Sequence, residues 1–430
     1  MYEDILQPLQ NLAEMEEIQK QAKKNCGILE ISGCMESQKA HLMYGLSGLF
    51  PCHLVIAADE KSAKELYEDY RFYDKRVYYY PAKDLLFFQA DIHGNLLIRQ
   101  RMQVIRALLE REDEITVVTS IDGCMDYLAP LEKIEKQLIY FRNDSTLDMD
   151  KLTAALVHMG YERVGQVEMP GQFSIRGGII DIYSLTEENP WRIELWGDEI
   201  DSIRSFDAQS QRSLENLDDV TIYPAAEQPM EKNGVSFLDY FKETETLFFL
   251  DELNHLEENA KAVQEEFQQS CENRKEKGEI SLSGDWMCTW EELCHKINDR
   301  NCVAMSLLDP KKSNWKISGQ FNITVKSMSS YQSSFELLVK DLKQYKKEGY
   351  QIVLLSGSRT RAERLAKDLQ EEGLNAFYGQ DSDRILQPGE IMVAYGHARR
   401  GFEYPLVKFA VITETDIFGK EQKKRKKKKK

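Results

Sequence analysis

The feature that most constrains this chain is an alternating stretch between positions 161 and 227. Turn signals recur in it at short intervals, at Pro170-Gly171, Gly177-Gly178 and Gly197-Asp198. Runs with a two-residue period between such turns predict an antiparallel meander. We therefore expect a one-sided sheet here, with its aliphatic side chains buried and its charged side chains facing water.

The alternation also assigns a face to individual side chains. It places Phe173 and Ile175 on one face of their strand, and Ile193 and Leu195 on one face of theirs. The outer face is expected to carry four charged residues, Arg163, Arg176, Arg192 and Glu194. Charges on the outer side of a sheet usually serve solubility, so the pattern alone favours a solvated surface.

Length and composition indicate a globular protein of about three domains. The 430 residues are 42% hydrophobic and 10% aromatic, which is enough for buried cores. No apolar run approaches the roughly 18 to 20 residues of a membrane helix, and the acidic start is not typical of a signal peptide. The eight cysteines lack metal-binding spacing. We expect a cytoplasmic protein with no membrane partner and no metal site.

The charge is unevenly distributed along the chain. Residues 420–430 carry a net charge of +8. Because the whole chain has a net charge of −16, residues 1–419 carry −24. A body this acidic repels phosphate backbones, and non-specific DNA binding by the folded part is not expected. Basic tails of this kind are more often solvated than bound.

A loop between a predicted strand and a predicted helix has part of the Walker A pattern G-x-x-x-x-G-K-[ST]. Gly33 and Lys39 match the pattern, whereas Gln38 replaces the second glycine and Ala40 replaces the hydroxyl that binds Mg²⁺. The glycine lets the backbone approach the phosphates, and the hydroxyl holds the metal that bridges them. We therefore predict a degenerate nucleotide site without ATP-Mg²⁺ binding, although chance matches of this length are frequent.

A second motif, which ends in two acidic residues, fits the interpretation as a degenerate nucleotide site. The apolar run Leu247–Leu250 leads directly into Asp251 and Glu252, which is the arrangement of a Walker B motif. Two acids after a strand are common, so this motif is informative only beside the Walker-like loop. Together they predict an inactive site formed by Gly33, Gln38, Lys39, Ala40, Asp251 and Glu252.

Strands and helices alternate as far as Pro130 and again after Pro224, which predicts a parallel sheet interrupted by the meander. Residues 2–25 predict one amphipathic leading helix, and Cys302–Leu307 predicts the last strand of the interrupted domain. A further α/β unit is predicted from about residue 326, where a helix, a strand and a second helix follow in order.

A long ordered string of residues in the meander resembles one particular family. The motifs are Ile175-Arg176-Gly177, Ile179-Ile180-Asp181, Arg192-Ile193-Glu194-Leu195-Trp196-Gly197-Asp198-Glu199-Ile200, Phe206-Asp207 and Ser210-Gln211-Arg212. They resemble the second domain of the bacterial transcription-repair coupling factors (Mfd) and of the excision-repair helicase UvrB. The string Gly401-Phe402-Glu403-Tyr404-Pro405, continued by Ile412–Gly419, resembles the end of the third domain of the Mfd family.

The resemblance implies a fold and a division into domains. The fold class is α/β, a degenerate RecA/P-loop-like parallel sheet split by an inserted antiparallel α+β domain and followed by a second small α/β domain. Residues 1–130 and 216–325 form the two parts of the degenerate domain, 131–215 the inserted UvrA-binding domain, 326–419 a spacer domain and 420–430 a basic linker.

The resemblance also implies a function. The chain is expected to be the N-terminal portion of a coupling factor, a non-catalytic module that recruits UvrA to lesion-stalled RNA polymerase. Arg163, Arg176, Arg192 and Glu194 would bind UvrA, with no catalytic residue, cofactor or metal in this chain. The intact protein would use ATP and Mg²⁺ to translocate on DNA and displace the polymerase, through domains beyond residue 430.

Two other classes of function remain open. The first is an active excision-repair helicase of the UvrB type, which Gln38 and Ala40 oppose. The stretch from Phe88 to Leu97 opposes it too, because it is too short for the DNA-verifying hairpin of UvrB. The second is an autoinhibitory or structural module whose Arg/Glu face packs against the rest of its own chain.

Overall fold

The structure is a computed structural model that describes residues 3–24, 27–83, 94–227, 234–277, 287–308, 315–379 and 385–419. The predicted basic linker lies outside these ranges, as does most of the stretch from Phe88 to Leu97. The chain packs as two compact units. The first contains the described residues of Met1–Val77, Glu243–Asn259 and Cys294–Lys430, and the second contains those of Tyr78–Lys242 and Ala260–Leu293.

The secondary structure alternates between helices and strands over most of the chain. The helices are α1 (Glu3–Gln10), α2 (Met15–Lys24), α3 (Glu36–Ser47), α4 (Glu60–Tyr73), α5 (Gly94–Glu110), α6 (Ile121–Cys124), α7 (Leu131–Glu135), α8 (Met149–His158), α9 (Leu253–Glu276), α10 (Trp290–Asn298), α11 (Phe335–Glu348), α12 (Arg359–Glu371) and α13 (Glu414–Phe418). A single 3₁₀ turn spans Phe237–Tyr240.

The strands are β1 (Gly27–Ser32), β2 (Cys52–Ala57), β3 (Val77–Tyr80), β4 (Ile115–Ser120), β5 (Ile139–Arg142), β6 (Glu162–Arg163), β7 (Gln172–Arg176), β8 (Ile179–Ile182), β9 (Trp191–Trp196), β10 (Glu199–Phe206), β11 (Ser213–Leu217), β12 (Asp219–Ile222), β13 (Thr246–Asp251), β14 (Asn301–Ser306), β15 (Ile317–Asn322), β16 (Lys326–Ser327), β17 (Gln351–Ser356), β18 (Ala376–Tyr378), β19 (Ile391–Tyr395), β20 (Phe402–Tyr404) and β21 (Phe409–Thr413). Strands β5 and β12 pair with each other as a separate two-stranded sheet.

A parallel sheet of seven strands carries the Walker-like loop. Within the first unit, its strands follow the order β15-β1-β14-β13-β2. Every residue of β1 and of β13 is buried, as expected for parallel strands that are covered on both faces. The sheet confirms the predicted α/β class with a parallel RecA-like core.

The leading helix and the last strand of the seven-stranded sheet differ from the prediction. The leading helix is in fact two helices, because the chain turns between α1 and α2. The amides of Leu12 and Met15 bond to carbonyls only three residues back, at 3.1 and 3.0 Å. The strand at 301–306 is also not the last, since β15 pairs with β1 on its other side. Strand β15 alternates between half-buried and exposed residues and lacks the apolar run that marks a buried strand.

The first unit contains a second sheet, with the order β16-β20-β21-β17-β19-β18. Four consecutive strands, β21, β17, β19 and β18, are parallel, and β20 runs antiparallel to β21. Helices α11 and α12 supply Leu338, Leu342, Ala366 and Leu369 to its core. The predicted second small α/β fold is therefore present.

The second unit contains the predicted meander, a six-stranded sheet ordered β11-β10-β9-β8-β7-β6. The turn glycines Gly177 and Gly197 have φ of 61° and 64°. Two-residue hairpin turns need such positive φ values, so glycine is favoured there. The predicted antiparallel meander is confirmed, with one exception. The short strand β6 pairs with β7 in parallel.

The apolar face of this sheet packs against α8. Ile175, Ile180, Ile193 and Ile203 are neighbours across successive strands. They lie in or against one core with Phe173 and with Leu152 and Leu156 of α8. The predicted burial of this face is confirmed, and the opposite face of the sheet is left for charged residues.

No helix in the described ranges combines the length and the apolar character needed to cross a membrane.

Candidate partner-binding face and degenerate nucleotide site

The polar face of the inserted sheet is organised by strand register. Asp181 of β8 pairs with Ser174 of β7 and with Arg192 of β9, and Arg192 pairs in turn with Arg204 of β10. Because paired residues in antiparallel strands point to the same side, these side chains form one row across the sheet. Arg176, Glu194 and Ser202 belong to the neighbouring row.

Asp181 joins two of the three arginines that the sequence singled out. Its carboxylate accepts from Arg176 Nη2 at 2.6 Å and from Arg192 Nε and Nη2 at 2.7 and 2.9 Å. The Asp181 side chain is 1% exposed, whereas Arg176 is 47% exposed and Arg192 is 14% exposed. The structure therefore brings Arg176 and Arg192 together around one buried carboxylate.

Arg192 is fixed by two further contacts. Its Nη2 donates to Gln211 Oε1 at 2.9 Å, and its guanidinium lies 4.4 Å from the centre of the Phe206 ring. The hydrogen bonds to Asp181 raise the pKa of Arg192 above its ordinary value despite some burial. Asp181, Phe206 and Gln211 were part of the quoted motifs, but the sequence alone gave them no role.

Glu194 is already paired within the sheet. Its carboxylate accepts a hydrogen bond from Arg204 and one from Ser202 Oγ, the latter at 3.3 Å. Arg204 was not among the predicted site residues, and its pairing with Arg192 places it on the polar face. Glu194 thus lies on the predicted face, but its charge is neutralised by a neighbour on the next strand.

Arg163 does not lie with the other three, and its predicted place on their face was wrong. Strand β6 runs parallel to β7 and pairs Arg163 with Phe173, which points into the core. Arg163 instead lines an open groove of about 660 Å³ beside α8, together with Ile175 and Val157. The alternation failed here because β6 has two residues only, too few to define a period.

Trp196 is a residue of this face to which the sequence assigned no function. It lies on β9, two residues after Glu194 and next to the Gly197-Asp198 turn, and it is 84% exposed. A large exposed aromatic side chain on a face with arginines is typical of an interface, because tryptophan and arginine dominate binding energies. The alternation that placed it opposite Leu195 was the available signal.

The Walker-like loop has a structural reason for its glycine. Gly33 has φ of 80°, and a Cβ atom there would lie 2.1 Å from the carbonyl oxygen of Ile323. Its amide donates to the carbonyl of Leu307 at 3.3 Å. The loop therefore retains its first glycine for packing, whether or not a phosphate is bound.

Lys39 is held by the two predicted acids. Its Nζ lies 2.6 Å from Asp251 Oδ1 and 2.6 Å from Glu252 Oε1. Burial disfavours the charged form of Lys39, but the two carboxylates outweigh it and raise its pKa. Glu252 adopts a left-handed backbone conformation with φ of 55° and also accepts from the amide of Leu307 at 3.0 Å. The ammonium group is thus neutralised inside the protein.

The two replaced Walker positions are both fully buried. Gln38 donates through Nε2 to Tyr404 Oη at 2.8 Å, while its Oε1 accepts from the amide of Met35 at 3.1 Å. Ala40 offers no oxygen to a metal. These residues do not fit ATP-Mg²⁺ in this arrangement, since the lysine is paired, the loop is filled by a side chain and the hydroxyl is missing. No group of three or more potential metal ligands occurs among the described residues.

Comparison with known proteins assigns the inserted sheet to a class. The family model of the UvrB interaction domain matches residues 139–227, a range that includes every residue of the polar face. The fold and this face therefore define a protein that carries a UvrB interaction domain.

The similarity extends over most of the chain. The chain is 30% identical to the transcription-repair-coupling factor of Bacillus subtilis (strain 168), over 93% of this chain and 40% of that protein. It is 26% identical to the transcription-repair-coupling factor of Staphylococcus haemolyticus (strain JCSC1435), over 82% of this chain and 34% of that protein. The chain is thus similar to transcription-repair-coupling factors over most of its own length, and it spans less than half the length of these relatives. The predicted resemblance is confirmed.

Proposed function

We propose that this chain is the part of a transcription-repair coupling factor that recruits UvrA. Two findings support the proposal: the match of residues 139–227 to the UvrB interaction domain and the similarity of the chain to transcription-repair-coupling factors. In the intact protein, other regions would bind RNA polymerase stalled at a lesion and translocate on DNA with ATP and Mg²⁺. Recruitment of UvrA would then couple the stalled polymerase to nucleotide excision repair.

The observation that carries the proposal is the composition of the polar face. Arg176 and Arg192 present guanidinium groups from a rigid sheet, and Trp196 stands exposed on the same face. Arginine forms directional paired hydrogen bonds with carboxylates, and tryptophan contributes a large contact area. A face fixed by internal hydrogen bonds loses little side-chain entropy when a partner binds.

The Walker-like site supports the second half of the proposal, that this module is not catalytic. Lys39 is paired with Asp251 and Glu252, and Gln38 is hydrogen-bonded to Tyr404. An active site would need this lysine for the phosphates and a hydroxyl for the metal. We infer that the parallel sheet serves as a scaffold for the inserted domain.

Charge reversal on the polar face tests recruitment. Purified UvrA is immobilised and its capture of the 430-residue chain is measured for the wild type and for the Arg176→Glu/Arg192→Glu variant. We expect capture to be lost, because each charged pair broken at a buried interface costs about 2 to 5 kcal/mol. Arg142→Glu, an exposed arginine of β5 on a different sheet, is the matched control and should capture UvrA normally.

Undiminished capture by the double reversal would overturn the proposal. It would mean that the face is only solvated or that it packs against another part of the intact protein. Saturable binding of ATP-Mg²⁺ to the 430-residue chain would instead overturn its non-catalytic half.

A further inference from the structure

Asp181 occupies the centre of the polar face without being accessible on it. Strand β8 lies between β7 and β9, so Asp181 has an arginine-bearing strand on each side. Its carboxylate is 1% exposed and is bound by three N–H groups, one from Arg176 and two from Arg192. A partner protein could not reach this carboxylate while both arginines cover it.

The same carboxylate determines where the two guanidinium groups point. Arg176 is about half exposed, and among the described residues Asp181 is its only hydrogen-bonding side chain. An exposed arginine without such an anchor samples many rotamers. Arg192 uses Nε and Nη2 on Asp181 and Gln211, which leaves its Nη1 hydrogens available.

The charges of the cluster favour one kind of partner group. Two guanidinium groups around one carboxylate leave a net charge of +1, and the adjacent Glu194 is neutralised by Arg204. The unused N–H groups of Arg176 and Arg192 are donors only. The complementary group on a partner is therefore a carboxylate, which can accept from both arginines at once.

We propose that Asp181 is a positioning residue of the partner-binding face, which acts through Arg176 and Arg192 to present them to a carboxylate of the partner and does not itself touch the partner. This inference rests on the proposed recruitment of UvrA. It adds Asp181 to the residues that partner binding requires, although Asp181 stays buried beneath the two arginines when the partner is bound.

The experiment measures the dissociation constant of UvrA for the full 430-residue chain and its variants. Asp181→Asn keeps the shape of the side chain but offers an N–H₂ group to one of the two arginines, so they can no longer share it. We expect binding at least tenfold weaker. Asp201→Asn, which removes an exposed aspartate from strand β10 of the same sheet, is the control and should bind within twofold of the wild type.

Asp181→Glu keeps the charge and moves the carboxylate outward by one methylene, which guards against a variant that merely fails to fold. A positioning role predicts weaker binding here too, whereas a simple counter-charge predicts wild-type binding. The Nε–H signal of Arg192 in ¹⁵N-edited spectra reports the contact directly. It should lose its protection from solvent exchange in Asp181→Asn while the thermal unfolding curve remains cooperative.

The outcomes separate the two proposals. If Arg176→Glu/Arg192→Glu abolishes binding while both Asp181 variants bind within twofold of the wild type, the positioning role is wrong and recruitment stands. If the arginine reversal itself has no effect, recruitment is wrong and the role of Asp181 fails with it.

Discussion

At the scale of single residues, Lys39 has different contacts from those of the lysine in a working P-loop. In a working P-loop this lysine contacts phosphates, and its position here was recognised because the Walker pattern is partly kept. The structure gives it two carboxylates inside the protein, at 2.6 Å each. The side chain of Lys39 is 7% exposed, so its charge is balanced by these acids rather than by water.

This arrangement makes Lys39 a structural residue. Lys39→Met should lower the free energy of unfolding by about 3 kcal/mol, because it leaves the buried Asp251 and the partly buried Glu252 without a counter-charge. Urea denaturation measures the effect. Lys64→Met removes an exposed helical pair with Glu60 and should cost less than about 0.5 kcal/mol. Equal effects of the two substitutions would show that Asp251 and Glu252 do not depend on Lys39.

Residue-scale prediction of the polar face succeeded where strands were long and failed where they were short. Alternation placed Arg176, Arg192 and Glu194 correctly on the outside of β7 and β9. It misplaced Arg163 because the direction and register of the two-residue strand β6 are set by pairing with β7. Asp181 was recognised as part of a motif, but only its two arginine contacts reveal its importance.

At the scale of elements, α3 and β20 are joined by a chain of hydrogen bonds. His41 Nε2 lies 2.9 Å from the carbonyl oxygen of Ile5, which can only accept, so Nε2 carries the proton. His41 Nδ1 therefore accepts from Tyr404 Oη at 3.2 Å, and Tyr404 accepts in turn from Gln38. Gln38, which stands at the position of the second Walker glycine, thus connects α3 to β20 within the first unit.

Nearby contacts strengthen this connection. Arg399 donates from its backbone amide and from Nε to Asp69 of α4, at 2.9 and 3.0 Å. The amide of Arg400 donates to Ser37 Oγ at 3.1 Å. Within the first unit, the predicted spacer region is thus bonded directly to the helices that follow β1 and β2.

The chain of hydrogen bonds requires neutral His41 and predicts a pH dependence. Burial lowers the pKa of His41 from 6.5 to about 4, although its bond to Ile5 opposes the shift. The unfolded chain therefore takes up the proton first as the pH falls. Stability contributed by neutral His41 is present above pH 6.5 and should be lost between pH 6.5 and pH 4, by about 3 kcal/mol.

Comparison with His41→Gln isolates this contribution from those of other groups. Unfolding free energies of both proteins are measured by urea denaturation from pH 7.5 to pH 4. The difference between them should shrink as the pH falls, since glutamine has no proton to gain. A constant difference across this range would mean that His41 is not held neutral in the folded chain.

At the scale of the whole molecule, the contacts of the Walker-like site predict how the chain responds to nucleotide. A ligand that binds only the folded state raises the melting temperature, by an amount set by its concentration relative to its dissociation constant. We expect millimolar ATP-Mg²⁺ to leave the melting temperature of this chain unchanged, as measured by calorimetry.

Restoring the Walker identities should not change this result. The variant Gln38→Gly/Ala40→Thr regains the consensus residues, but Lys39 remains paired with Asp251 and Glu252. It should also lose stability, because the bond from Gln38 to Tyr404 is removed. A melting temperature that rises with ATP-Mg²⁺ in this variant would show that side-chain replacement alone inactivated the site.

Most of the architecture followed from the sequence, because its causes are local. Apolar runs gave the buried parallel strands, two-residue periods gave the faces of β7 and β9, and glycines with positive φ gave the hairpin turns. The family was recognisable for a similar reason, since its motifs are short ordered strings. Local patterns also identified the incomplete Walker residues.

Only the tertiary structure decided how these residues are used. Asp181 meets two arginines from neighbouring strands, Gln38 meets Tyr404 more than 300 positions later, and Lys39 meets Asp251 more than 200 positions later. Such pairings depend on strand order and helix packing, which no local period records. The sequence therefore determined which elements form, whereas the fold determined which charges are paired inside the protein and which remain exposed on its surface.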